Sequence, residues 1–245
     1  MKENWRTEYD SVASFSEGLA WVEKDGKYGF VDRKGKLVIP LIYGDTDYFS
    51  EGLAWVEKDG KYGFVDKQGK LVIPLVYDDI DSFSEGLAWV EKEGKGGFIN
   101  HKGDVIIPLK YDAAGYFSEG LAQIKKKGKW GFINKKGKVV ISCKYDYADF
   151  FSEGLAWVRK NGKLGFIDNK GNIVFLSNYD CAGYFSEGLV GVRKNGKEGF
   201  VDINGKVIIP LEYDFVGPFS DGLAWFGKDG KEGFVDKKGN VKWDD

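Results

Sequence analysis

The sequence is short of the residues that most often do chemistry. Among 245 residues there is one histidine and there are two cysteines. Without a second histidine or clustered cysteines, histidine-driven nucleophile activation and ordinary zinc ligation both lack parts. A disulfide framework would use several cysteines at regular short spacings, so Cys143 and Cys181 are expected to be free thiols in a reducing, cytoplasmic setting. No charge of one sign dominates, since 36 lysines and arginines face 38 aspartates and glutamates. A whole-molecule attraction to nucleic acid or to an anionic membrane is therefore not expected. No run approaches 18 apolar residues, and the opening MKENWRTEYD carries no apolar segment of the kind that directs export. Apolar residues never recur at a 3.6-residue period, and glycine falls every eight or nine positions, which excludes helices of any length.

What is present is a repeat of constant period. The phenylalanine of a Phe-Ser-Glu/Asp-Gly motif stands at Phe15, Phe49, Phe83, Phe117, Phe151, Phe185 and Phe219, in steps of 34 without insertion. Such self-similarity governs the fold. Each copy contains two glycine turns. The first is Asp25-Gly26, Asp59-Gly60, Asn161-Gly162 and their equivalents, and Asp-Gly and Asn-Gly suit the type I′ turn of a tight antiparallel hairpin. Between turns, stretches such as 53–57, 62–66 and 71–75 are rich in Trp, Val, Phe and Ile and read as strands. Leu53-Ala54-Trp55-Val56 is apolar at consecutive positions, so both faces of each small sheet should be covered, and only other copies are available to cover them.

Three hairpin-linked strands would leave the next copy starting at the opposite end. The stretch from Tyr77 to Ser84 is therefore expected to run back as a short fourth strand or to cross back as a loop, and an even strand count is the simpler. Four antiparallel strands per unit, packed face to face, describe a β-propeller. The chain begins near the end of a period and stops where that piece is missing, and residues 8–245 hold seven whole periods. The all-β chain is accordingly expected to form a single repeat domain, a closed seven-bladed propeller-like ring in which residues 1–14 complete the last unit. An open antiparallel β array is the alternative. Terminal copies of an open array should carry polar caps, yet Leu19, Trp21, Phe30, Leu223, Trp225 and Phe234 are all retained at the ends.

The recurring Gly-Lys-x-Gly-Phe-Ile/Val-Asp/Asn-x-x-Gly-Lys, followed by apolar residues, Tyr-Asp and Phe-Ser-Glu-Gly-Leu-Ala, resembles the WG-repeat (KWG-repeat) family of bacterial proteins across essentially the whole chain. The namesake dipeptide appears once, as Trp130-Gly131; elsewhere the first position is Tyr28, Tyr62, Gly96, Leu164, Glu198 or Glu232 while the glycine persists. The resemblance implies an interaction module, often joined to other domains. It carries no catalytic residue, cofactor or ligand.

A catalytic constellation is asymmetric, so the informative residues are those that break the repeat. His101 lies in a turn where other copies have Arg33, Lys67 or Lys135 and is expected to be exposed. The acidic series Glu17, Glu51, Glu85, Glu119, Glu153, Glu187 and Asp221, each after a serine, is expected to satisfy backbone groups at a strand start. A ring of seven such charges attracting a cation is the sharper alternative. Asp32, Asp66, Asn100 and their equivalents should shape the second turn. Copy four, residues 117–150, has eight lysines against three acids, and copy two has four lysines against seven. Lys125, Lys126, Lys127 and Lys129 surround one hairpin beside Trp130, and Gln123 replaces a tryptophan there. This is the candidate docking site for an acidic partner.

The function expected is that of a monomeric, non-enzymatic scaffold for another protein or a neighbouring domain, without cofactor, metal or membrane, and with nucleic acid disfavoured. One alternative is a lectin-like module stacking sugars on Tyr28, Tyr62 and Trp130. Another is a recently amplified or constructed repeat without an evolved ligand.

Overall fold

The computed structural model describes residues 5–244, which form β-strands, turns and one short 3-10 turn at Trp5–Glu8. Seven four-stranded antiparallel sheets follow one another, each built from strands consecutive in the chain. In the first, β1 (Ser11–Val12) pairs with β2 (Leu19–Lys24), β2 with β3 (Lys27–Asp32), and β3 with β4 (Leu37–Tyr43). The β2–β3 turn has φ of 51° at Asp25 and 70° at Gly26, the left-handed pair that the type I′ turn requires. The same signs recur in all seven copies, including Lys127-Gly128, where no Asp or Asn is present.

The short strand pairs forward, with the long strand that follows it. For the described residues this corrects the expectation that residues 1–14 complete the last unit; residues 1–4 lie outside the described residues. Ser11–Val12 belongs to sheet one, and sheet seven takes all its strands from residues 215–243. The aspartate of Tyr-Asp explains the direction. Asp10 Oδ2 accepts the N–H of Asp25 at 2.8 Å, and Asp214 Oδ2 accepts that of Asp229 at 2.8 Å, so each short strand is tied to the hairpin after it.

By contacts the chain divides into two compact units, Met1–Phe117 with Lys135–Gly137, and Ser118–Asn134 with Lys138–Asp245. The first holds sheets one to three. The second holds sheets five to seven and the long strands of sheet four.

In both units the core lies between successive sheets, which is why the strands are apolar on both faces. Within the first unit, Leu19, Phe30, Ile39 and Tyr43 of sheet one pack on Phe49, Ala54, Val56 and Val65 of sheet two. Leu53, Phe64, Ile73 and Tyr77 pack in turn on Phe83, Ala88, Val90 and Ile99. The second unit repeats the arrangement between sheets four and five, five and six, and six and seven. From Phe49 onward each motif phenylalanine meets a phenylalanine of the preceding sheet, in most cases edge to face, as in Phe30–Phe49 at 4.8 Å and Phe200–Phe219 at 4.7 Å.

The glycine that outlasts the namesake tryptophan has a steric cause. A Cβ on Gly29 would lie 2.5 Å from the carbonyl oxygen of Ile39 and 2.8 Å from the carbonyl carbon of Pro40. The register between β3 and β4 shifts at this point, a bulge that brings the β4 backbone over the glycine.

The two end sheets differ from the rest. The face of sheet one formed by Ala20, Val22 and Val31 is packed by Trp5, Tyr9 and Phe15. On sheet seven, Leu223, Trp225, Phe234 and Trp243 are 39–46% exposed, whereas Leu19 and Phe30 at equivalent places are at most 8% exposed.

Candidate functional site

The polar groups common to the copies are engaged in holding one copy to the next. The motif serine donates to the carbonyl of the next motif phenylalanine: Ser16 Oγ to Phe49 O at 2.7 Å, and Ser186 Oγ to Phe219 O at 2.7 Å. The following glutamate, in the left-handed region at φ near 50°, accepts the N–H of the next motif glycine, as in Glu51 to Gly86 at 2.9 Å and Glu153 to Gly188 at 2.7 Å. Lys67, Lys135 and Lys237 add ion pairs of 2.8–2.9 Å to Glu17, Glu85 and Glu187. The hydrogen bond from lysine is the main reason the carboxyls of Glu17 and Glu187 lie below the ordinary glutamate range.

His101 occupies the place of those lysines. Its Nε2 is 3.1 Å from Glu51 Oε2, and its ring stacks on Phe83 at 4.3 Å, so a half-exposed turn residue also packs. Asp32 and its equivalents shape the second turn as expected, with Asp32 Oδ1 accepting the N–H groups of Lys34 and Lys36. Among the described residues no group of three or more His, Cys, Asp or Glu side chains is placed to hold a metal ion.

The lysine-rich hairpin of copy four is gathered as the sequence suggests, but its members differ. Lys129 Nζ lies 2.5 Å from Asp146 Oδ1, and Lys61–Asp78, Lys95–Asp112 and Lys197–Asp214 repeat that pair at 2.5–2.6 Å. Lys129 thus serves the repeat. Lys125 Nζ is 5.7 Å from the centre of the Trp130 ring, and Lys126 and Lys127 are exposed at the tip. Trp130 also faces Tyr147 at 6.2 Å. Tyr28 and Tyr62 lie in sheets one and two, half-buried against Trp21 at 5.6 Å and Trp55 at 5.7 Å.

A second departure from the repeat carries more shape. The third residue of the second strand is tryptophan in five sheets, Gln123 in sheet four and Gly191 in sheet six. The side-chain amide oxygen of Gln123, Oε1, is buried without a hydrogen-bond partner. At Gly191 a surface hollow of about 220 Å³ opens, bordered by Tyr184, Arg193, Glu198, Val216 and Pro218. The signal was available in the sequence, since Gly191 leaves the tryptophan column as plainly as Gln123 does. Tyr184, which borders the hollow, belongs to a repeated aromatic position. The residue before each motif phenylalanine is Tyr48, Tyr116, Phe150 or Tyr184 in four copies, and the three tyrosines are 38–44% exposed. In the second unit the Phe150 and Tyr184 rings are 5.5 Å apart.

No helix among the described residues is long and apolar enough to cross a membrane. No curated protein sequence matches the chain. Among solved structures it is similar to Kluyveromyces lactis Hsv2p, with TM-score 0.56 and 8% identity over 96% of this chain and 98% of that one. It is also similar to a eukaryotic initiation factor, with TM-score 0.53 and 13% identity over 96% and 87% of the two chains. At these identities the likeness speaks for the fold alone, and that fold is β-propeller-like. The sequence model of the WG-containing repeat matches seven times in tandem, at residues 7–28, 28–62, 62–95, 97–130, 130–163, 165–197 and 199–231. With 34-residue copies linked serine to carbonyl and glutamate to glycine, the chain belongs to the WG-containing repeat family.

Proposed function

We propose that this chain is a non-enzymatic scaffold that binds another protein through the exposed tyrosines that precede its Phe-Ser-Glu-Gly motifs. The observation that carries this reading is the division of labour among side chains. Recurrent polar groups are consumed between copies, while the period sets exposed tyrosines at one repeated position, Tyr48 and Tyr116 in the first unit and Tyr184 in the second, where half-buried Phe150 packs beside it. Tyrosine at a rigid surface offers a large contact area at low entropic cost, which is why it is enriched in protein interfaces. The sugar-binding alternative draws less support, because Tyr28, Tyr62 and Trp130 pack against neighbouring side chains instead of presenting free ring faces.

The test compares proteins captured by the chain with those captured by a variant carrying Tyr48→Ser, Tyr116→Ser and Tyr184→Ser, alongside a glycan array. A protein retained by the first and lost from the second supports the scaffold. Binding confined to glycans and unaffected by the substitutions overturns it.

A further inference from the structure

Sheets one, two, three and five show what belongs in the place that Gly191 leaves open. The rings of Trp21 and Trp55 lie over the second residue of the next strand, Tyr28 and Tyr62. In sheet three a Cβ on Gly96 would run into the Trp89 ring, so that ring covers the same spot. In sheet five the indole N–H of Trp157 donates to Asp149 Oδ2 at 2.7 Å. Sheet six keeps the backbone frame of sheet five. Gly183 N donates to Gly191 O at 2.9 Å as Asp149 N donates to Trp157 O at 3.0 Å, and Gly191 pairs with Phe200 as Trp157 pairs with Phe166. What is missing is the ring, together with the carboxylate that takes its N–H.

The hollow left behind has the size and chemistry of the missing group. Its volume of about 220 Å³ exceeds the roughly 150 Å³ of a cavity able to hold benzene. Val216, Pro218 and Tyr184 supply apolar walls. Glu198, at the position that touches the tryptophan elsewhere, supplies a carboxylate whose side chain is only 14% exposed. It is held in place: Oε1 accepts from Arg193 Nε at 2.8 Å and pairs with Nη2 at 2.6 Å, while Oε2 accepts the N–H of Val216 at 2.8 Å. Each carboxylate oxygen takes about two hydrogen bonds, so Oε2 has a lone pair left for one more donor.

We infer that this hollow docks the side chain of a tryptophan presented by a partner polypeptide, with the indole in the volume the chain fills itself in other sheets and its N–H donated to Glu198. The inference rests on the scaffold reading and gives it one anchor. One acceptor between apolar walls suits a flat ring with one donor. A sugar would bring several hydroxyls of which the apolar walls leave most unmatched, and with Arg193 already paired to Glu198 the hollow offers a phosphate no net positive charge. Tryptophan is also among the residues most enriched as interface anchors in desolvated pockets.

The test titrates N-acetyl-tryptophanamide into the isotope-labelled full chain and follows the amide resonances of Gly183, Gly191 and Val216. Saturable shifts with a dissociation constant of the order of 1 mM are expected for a single side chain. N-acetyl-leucinamide should bind at least about tenfold more weakly, and the 1-methyl-indole analogue, which has no donor, several-fold more weakly. Gly191→Trp fills the hollow from within and should abolish the shifts. Glu198→Leu, with Leu164 as its precedent in sheet five, should erase the preference for the free N–H, whatever the folding of the first variant. No shift at about 10 mM probe, or unchanged binding in a folded Gly191→Trp chain, overturns the inference. So does free indole binding as tightly as the blocked amino acid, which would assign the hollow to small aromatic molecules. A partner protein that is still captured through Tyr48, Tyr116 and Tyr184 when the probe fails would leave the scaffold reading standing.

Discussion

Ser50 Oγ donates to the carbonyl oxygen of Phe83 at 2.8 Å across a separation of 33 residues, just short of one full period. The same bond joins Ser84 to Phe117 in the first unit and Ser118 to Phe151 and Ser152 to Phe185 in the second. The hydroxyl reaches the next copy's backbone, while the glutamate beside it reaches the next copy's glycine N–H. Ser50→Ala should therefore cost about 1 kcal/mol, the usual net worth of one such bond. Denaturant melts would register it as a lower midpoint with an unchanged slope. No change in midpoint would mean that the Phe83 carbonyl is satisfied by water.

Acid should loosen these links in a defined window. The carboxyls of Asp78, Asp146 and Asp214 are held below the ordinary aspartate range, first by hydrogen bonds from Lys61, Lys129 and Lys197 and then by the N–H groups of Glu93, Asn161 and Asp229. A depressed folded-state pKa gives stability that is present above the unfolded value, about 3.9, and is lost as pH falls through the folded value. The melting temperature should hold from neutral pH to about pH 5 and decline below about pH 4. Asp78→Asn with Asp214→Asn should flatten that decline. At the alkaline end, burial raises Tyr43, Tyr77, Tyr145 and Tyr213 above the usual phenol value. Their contribution is present below about pH 10 and fades as pH rises beyond it.

Two kinds of glycine should fail for different reasons. Gly162 has φ of 76° with nothing within 4 Å of a Cβ, so Gly162→Val suffers from backbone conformation and should cost about 1–3 kcal/mol. Gly63 has ordinary φ, but a Cβ would sit 2.7 Å from the carbonyl oxygen of Pro74. Gly63→Ala should cost about 1–3 kcal/mol through overpacking, while the neighbouring Tyr62→Leu should cost under about 1 kcal/mol. Equal costs at Tyr62 and Gly63 in equilibrium melts would show that the bulge does not set the glycine.

These contrasts mark what the sequence discloses. Asp-Gly and Asn-Gly dipeptides announce hairpins because few residues tolerate positive φ, and doubly apolar strands such as Leu53-Ala54-Trp55-Val56 announce sheets covered on both sides. The pairing direction of a two-residue strand is not announced, because Ser11–Val12 carries too little pattern to choose a partner. Asp10 makes the choice through a side-chain bond to the next hairpin. The candidate site was half legible. A lysine cluster is visible as composition, but that Lys129 forms the same ion pair as Lys61, Lys95 and Lys197 depends on the fold bringing it to Asp146. Gly191 is visible as a missing tryptophan, yet the Glu198 carboxylate beside it becomes meaningful only once Arg193 and the Val216 N–H are seen to hold it.

The end sheets give the sharpest stability contrast. In sheets two and three the positive-φ glycine of the second turn is covered by an isoleucine of the preceding sheet, Ile39 at 3.3 Å from a Cβ on Gly69 and Ile73 at 3.5 Å from one on Gly103. At sheet one Trp5 covers Gly35 instead while meeting Tyr9 at 6.4 Å and Phe15 at 6.2 Å. Trp5 thus stands in for an isoleucine over the face of Ala20, Val22 and Val31. Because the ring is half-buried, Trp5→Ala should cost about 1–3 kcal/mol, less than a fully buried aromatic. Hydrogen exchange should accelerate first at the amides of Ala20 and Val22, with those of sheet five unmoved. Trp225 offers the comparison. It is 43% exposed and leans on Phe215 at 4.6 Å, so Trp225→Ala should cost under about 1 kcal/mol. Were Trp225→Ala the more damaging of the two, the face of sheet seven would be covered in solution, and Leu223, Phe234 and Trp243 should then resist exchange and substitution as their equivalents in sheet two do.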